Sequence, residues 1–192
     1  MSEATSPGTV SGSIVIEALT EYVGTDLDDL CVATEATMAN DGGFGWLKAP
    51  MRHALEGYWR GVVLVPERQL FVGRLDEAIV GSAQLVRAAR HNEAQAANAH
   101  LINIFVAPWA RGYGVAGRLV DAIEAAARVA RIEVLNTDLR DTQKAAMHLY
   151  EGRGFVRWGT HPYYARVGEN LIPGHYYYKL LSPASQQDKT DE

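Results

Sequence analysis

The apolar positions change period repeatedly along the chain, and each change marks an element. A β-branched run over 14–19 predicts an opening strand. Thr25 suits a helix N-cap, with Asp26, Asp28 and Asp29 at the positive end of a helix that stops near Asn40-Asp41-Gly42-Gly43. Pro50 fits a first helical position and opens a second helix through Met51, Leu55, Tyr58 and Trp59 to about Val65. Strands follow over 69–75 and 78–87, turning through Asp76-Glu77, and the polar stretch 88–97 reads as a loop. After a strand over 100–106 comes a long amphipathic helix over 112–130, with Val115, Leu119, Ile123 and Ala126 on one stripe. A strand over 132–138, a helix from Thr142 to Gly152-Arg153-Gly154, and strands over 155–160 and 176–181 complete the pattern. The order β-α-α-β-β-β-α-β-α-β-β is that of an α/β protein with a mixed sheet and helices on its faces. The polar ends, 1–13 and 182–192, read as flexible tails flanking a single domain over 14–181.

Composition narrows the chemistry. The 192 residues are 47% apolar, enough for one core. With 18 basic against 23 acidic residues, the net charge of −5 offers no footprint for nucleic acid or an anionic membrane. The lone cysteine, Cys31, rules out a disulfide framework and reads as a buried small hydrophobe. His100, His148, His161 and His175 lack metal-ligand spacing, so no metal is expected. No apolar run approaches a membrane span, and the start lacks the regions of a signal peptide, so a soluble, cytoplasmic protein is expected.

The chemical signal lies after the strand that ends at Val106. Gly112 and Gly114 permit close backbone approach, and the N–H groups of the helix they open point outward with its dipole behind them. That combination suits a pyrophosphate. Gly112-x-Gly114-x-x-Gly117 also satisfies a dinucleotide fingerprint, with Asp138 downstream. Against that reading, Pro108 to Arg111 intervene between strand and glycines, and too little chain follows for a doubly wound sheet.

Arg111-Gly112-Tyr113-Gly114-Val115-Ala116 fits R/Q-x-x-G-x-G/A, and the segment from Ala146 to Phe155 fits A-x-x-L-Y-E-x-x-G-F. In this order and spacing the two motifs resemble those of the GNAT N-acetyltransferases, specifically a bacterial member acting on small molecules, over about 14–181. The resemblance implies acetyl-CoA as acetyl donor, its pyrophosphate on the backbone of Arg111, Gly112, Tyr113, Gly114, Val115 and Ala116. It implies a pantetheine arm paired along Ile104, Phe105 and Val106, in a splay between the strands over 100–106 and 132–138. Ala146 lies beside that arm, as does Gln143, where many members carry Asn.

By the same resemblance Tyr150 is the acid that protonates the leaving thiolate, and His100 is the base, with His161, His175 or a water relay as further candidates. The acceptor pocket is expected among the aromatic residues Phe44, Trp46, Tyr58, Trp59, Tyr163, Tyr164 and Tyr176 to Tyr178; Trp46, Trp59 and Tyr163 are the leading candidates. Asp41 and Glu56 could add charge there. The implied reaction is direct transfer of the acetyl group to a primary amine of a small molecule. A protein or peptide acetyltransferase and a non-catalytic acetyl-CoA-binding module are the alternatives, and whether the chain forms a homodimer is left open.

Overall fold

The computed structural model describes residues 12–40 and 45–181. The chain runs β1 (Ile14–Leu19), α1 (Asp26–Asn40), α2 (Arg52–Val62), β2 (Arg68–Leu75), β3 (Ala78–Arg87), β4 (Asn98–Val106), α3 (Val115–Val129), β5 (Val134–Arg140), α4 (Lys144–Glu151), β6 (Val156–Val167) and β7 (Asn170–Leu180). This is the order the sequence predicts. The strands form one seven-stranded mixed sheet, β1-β2-β3-β4-β5-β7-β6. A side chain at Gly73 of β2 would strike Val115 of α3, while Gln84 of β3 donates to the Tyr58 hydroxyl of α2. Leu70 lies opposite Gln84, and Gly73, three residues on, points the other way, so helices cover both faces. Among the described residues no helix is long and apolar enough to cross a membrane.

Two boundaries moved for physical reasons. Pro50 precedes the extended N-cap Met51, so it lies just outside α2 and not at its first position. The last hairpin is much longer than the sequence pattern suggests, because Pro162 and Pro173 discourage a strand assignment. The structure accommodates both in one irregularity: His161 pairs with Gly174 and Ala165 with Ile172, leaving Pro162-Tyr163-Tyr164 opposite Pro173. The tail expectations at 1–11 and 182–192, and the candidates Asp41 and Phe44, lie outside the described residues.

Two irregularities open the sheet. β4 and β5 pair in parallel only through Asn98–Val134, Ala99–Leu135 and His100–Asn136, and then part. On its other side β4 bulges: Ile102 pairs with Gln84 and Phe105 with Ser82, so residues 103 and 104 oppose Ala83 alone. Asn103 holds the bulge at φ 51°, a left-handed conformation that asparagine tolerates. Plain alternation would put His100, Ile102, Ile104 and Val106 on one face. The bulge instead puts Phe105 on the face of Ile102, and that shared-face expectation fails beyond Asn103.

Candidate active site

The glycine loop has the geometry an anion needs. A 3₁₀ turn over Pro108–Ala110 leads to an extended Arg111, then Gly112 at φ 86° and Gly114 at φ 79°. Gly114 is the N-cap of α3, and no side chain caps that helix end. Space beside both glycines is open: a Cβ at either would meet nothing within 4 Å. The first-turn N–H groups of α3 therefore face a cradle that side chains would fill.

From this cradle a cleft of about 690 Å³ runs along β4 and α4, walled by Ile104, Phe105, Val106, Arg111, Ala116, Gln143 and Ala146. The parting of β4 from β5 thus assembles the residues expected to hold a pantetheine arm. The Gln143 side-chain oxygen accepts from the Arg140 N–H at 3.0 Å, which fixes the amide where it lines the cleft.

A second cavity, about 520 Å³, joins the first at Ile104, Gln143 and Ala146. Its walls are Ile102 and Asn103 of β4, Thr137 to Arg140 of β5, Tyr150 of α4, Gly45 and Leu47 before α2, and Tyr164 to Arg166 of β6. Tyr150 is 2% exposed. Burial pushes its phenol above the ordinary value, against the opposing hydrogen bond with Thr137, so it stays protonated. The Asp138 carboxylate lies near enough to reinforce that rise. Tyr164 donates from its hydroxyl to Asp138 Oδ2. Burial first, then this donation, push the Tyr164 phenol up, with the Arg140 charge opposing. Asn103 Nδ2 donates to the Tyr58 hydroxyl at 2.7 Å, tying the bulge to α2.

Several expected residues stand elsewhere. Trp59 is fully buried between Tyr58 and Phe105 and belongs to the core. Tyr163 is 66% exposed; the three-residue irregularity in β6 turns its neighbour Tyr164 inward in its place. Trp46 is half-buried, edge-to-face on Tyr58 at 5.0 Å, and stands behind the cavity wall formed by its neighbours Gly45 and Leu47. Glu56 pairs with Arg52 and Arg60 along α2. His100 is exposed on the part of β4 still paired with β5, whereas the cavity wall begins at Ile102. His161 accepts from the Tyr163 N–H. His175 is buried, its Nε2 2.8 Å from Asp141 and its Nδ1 3.0 Å from Thr160, a clamp between the hairpin and the residue that follows β5. Burial pushes the Cys31 thiol up to about 11, as an unreactive core residue requires. Sequence reasoning missed the Asp138–Tyr164 pair, whose two members lie 26 residues apart.

The sequence pattern of the acetyltransferase (GNAT) family matches residues 31–155. The chain belongs to the GNAT family. An N-acetyltransferase from the hisH-hisA intergenic region of Azospirillum brasilense is 52% identical over 131 residues, 68% of this chain and 78% of that one. The fold matches a ribosomal-protein-alanine N-acetyltransferase from Brucella melitensis, at TM-score 0.73 and 18% identity over 87% of this chain and 99% of that one. It also matches yncA from Salmonella typhimurium, solved with its cofactor acetyl-CoA, at TM-score 0.70 and 12% identity over 92% of this chain and 99% of that one. This GNAT protein is an acetyltransferase that uses acetyl-CoA, which sets aside the non-catalytic alternative.

Proposed function

We propose that this acetyltransferase acetylates the primary amine of a small molecule by direct attack. The observation that carries the reading is the cavity of about 520 Å³ that adjoins the cofactor cleft, in which Asp138 is the one carboxylate among the described lining residues. Gly45 and Leu47 on one side and Tyr164 to Arg166 on the other leave between them a space of the size a compact acceptor needs.

The residues divide the work. Backbone N–H groups of the Gly112 to Ala116 turn bind the diphosphate, and their positive-φ glycines leave room for it. The β4 segment Ile104 to Val106, released from β5, offers its edge to the pantetheine amides, with Gln143 and Ala146 on the opposite wall. Bound acetyl-CoA supplies the activated acyl group and a thiolate leaving group. Tyr150, protonated and 2% exposed, donates a proton from its hydroxyl to that thiolate. Asp138, held through Oδ2 by Tyr164, takes the ammonium at the carboxylate and accepts its proton directly or through a water. His100 stands outside the cavity wall, and Asp138 takes the role of base in its place.

An acceptor screen that detects free CoA tests the reading, with amines, amino acids and peptides compared. Turnover restricted to peptides would overturn it. Tyr150→Phe should lower kcat roughly 10²-fold with little change in KM for acetyl-CoA; equal turnover would reduce Tyr150 to packing. Asp138→Asn should suppress kcat/KM for the amine, while His100→Ala leaves its acidic limb in place.

A further inference from the structure

Asp138 and Arg140 are alternate residues of β5 and so project to the same face of the sheet, roughly 7 Å apart along the strand. Both line the acceptor cavity, and Tyr164 sits within reach of both: it donates to Asp138, and the Arg140 charge acts on its phenol. Arg166, two residues beyond Tyr164 on β6, lines the same cavity, and its Nη1 donates to the Glu169 carbonyl at 3.3 Å. One wall thus presents a carboxylate and two guanidinium groups. Charges of both signs line the space an acceptor would enter.

We infer that the acceptor is an amine carrying an anionic group close to the nitrogen, of the α- or β-amino acid class, with its ammonium at Asp138 and its anion at Arg140 and Arg166. Guanidinium groups match planar carboxylates through paired N–H donors, and desolvation inside the cavity strengthens such bonds. Arg140 is 9% exposed and Arg166 stands at the rim, so the inner guanidinium supplies the electrostatic field and the outer one supplies an adjustable contact. This inference rests on the small-molecule reading above and goes beyond it in stating the second charge.

The test compares matched pairs under saturating acetyl-CoA: each of a panel of α-amino acids against the amine obtained by removing its carboxylate, for example L-phenylalanine with 2-phenylethylamine and L-leucine with 3-methylbutylamine. An aminophosphonate arm separates carboxylate from phosphonate, and a short peptide with a free N-terminus is included. The carboxylated or phosphonated member should show about 10–100-fold higher kcat/KM than its bare amine, the range of a charge-assisted pair. In Arg166→Gln that advantage should shrink about tenfold or more, with acetyl-CoA binding by calorimetry confirming an intact fold, and Arg166→Lys should restore part of it. Bare amines that match or exceed their charged partners overturn the inference while leaving the small-molecule reading standing. Turnover of the peptide alone overturns both. A panel in which no anionic amine is acetylated, or an Arg166→Gln protein with an undiminished advantage, also overturns the inference.

Discussion

Tyr164 and Gly174 share one position on the sheet: the tyrosine ring lies where a side chain on Gly174 would have to be. Gly174 pairs with Arg140 on one side and His161 on the other, so the ring crosses β7 to reach Asp138 on β5. Gly174→Ala should push the ring out and detach its hydroxyl from Asp138. The expected kinetics are a rise of roughly tenfold in KM for the amine, on the scale of one hydrogen bond to a charged group. KM for acetyl-CoA should not change. Tyr164→Phe, which keeps the ring and removes the hydroxyl, should reproduce much of that effect. A Gly174→Ala enzyme with parental amine kinetics would show that the ring position is incidental.

Gly114 makes a separate prediction about the cofactor. At φ 79° any residue with a Cβ is strained, and the space beside it is open to the incoming ligand. Gly114→Val should cost about 1–2 kcal/mol of stability through backbone strain and abolish measurable CoA affinity. Calorimetry and thermal melting separate the two. A folded variant that binds CoA as tightly as the parent would refute the loop assignment.

How much of this could be read from the chain depends on how local the cause is. The strand 14–19 and the strand 78–87 are legible to the residue, since β-branched runs and the Asp76-Glu77 turn, both at positive φ, act within a few positions. The geometry of the glycine loop is legible because it is backbone geometry, signalled by Gly112 and Gly114 at positive φ. The acceptor end is not. Whether Tyr163 or Tyr164 faces inward is decided by three residues of β6 opposing one of β7, and such a register shift has no composition of its own. The Asn103 bulge likewise breaks the alternation that placed His100 with the reacting strand. Asp138 stands out in the sequence only as the acid of the rejected dinucleotide fingerprint, and its place in the cavity depends on β6 bringing Tyr164 to it.

The two tryptophans should respond in opposite ways. Trp59 is fully buried, with Phe105 at 6.2 Å and Tyr22 donating to its carbonyl. Trp59→Ala should cost about 3–5 kcal/mol and impair both substrates alike through loss of folded protein. Trp46 instead braces Tyr58, whose hydroxyl receives Asn103 at the cavity wall. Trp46→Ala should therefore raise KM for the amine and leave KM for acetyl-CoA near its parental value. A Trp46→Ala protein that melts far lower, yet shows parental amine KM when folded, would place Trp46 with the core.

Asp26 ties part of the fold's stability to pH. Its carboxylate is buried at the start of α1, pairs with Arg74 Nη1 at 2.8 Å and accepts from the Val23 N–H at 3.1 Å. Burial alone would raise its pKa; the hydrogen bonds from Arg74 and Val23 and the Arg74 charge outweigh it and hold the carboxyl below its ordinary value. A folded-state pKa below the unfolded one means the unfolded chain binds the proton more readily. The stability from Asp26 is thus fully present above the ordinary carboxylate range and is lost as pH falls through the lowered folded value. Asp26→Asn should cost on the order of 3 kcal/mol at neutral pH, moderated by Glu17, which stays 2.6 Å from Arg74. The variant should also lose less of its remaining stability on acidification below about pH 4. Urea unfolding from pH 7 to pH 3 checks both statements, and parent and variant curves that fall in parallel would show that Asp26 is not the titrating group.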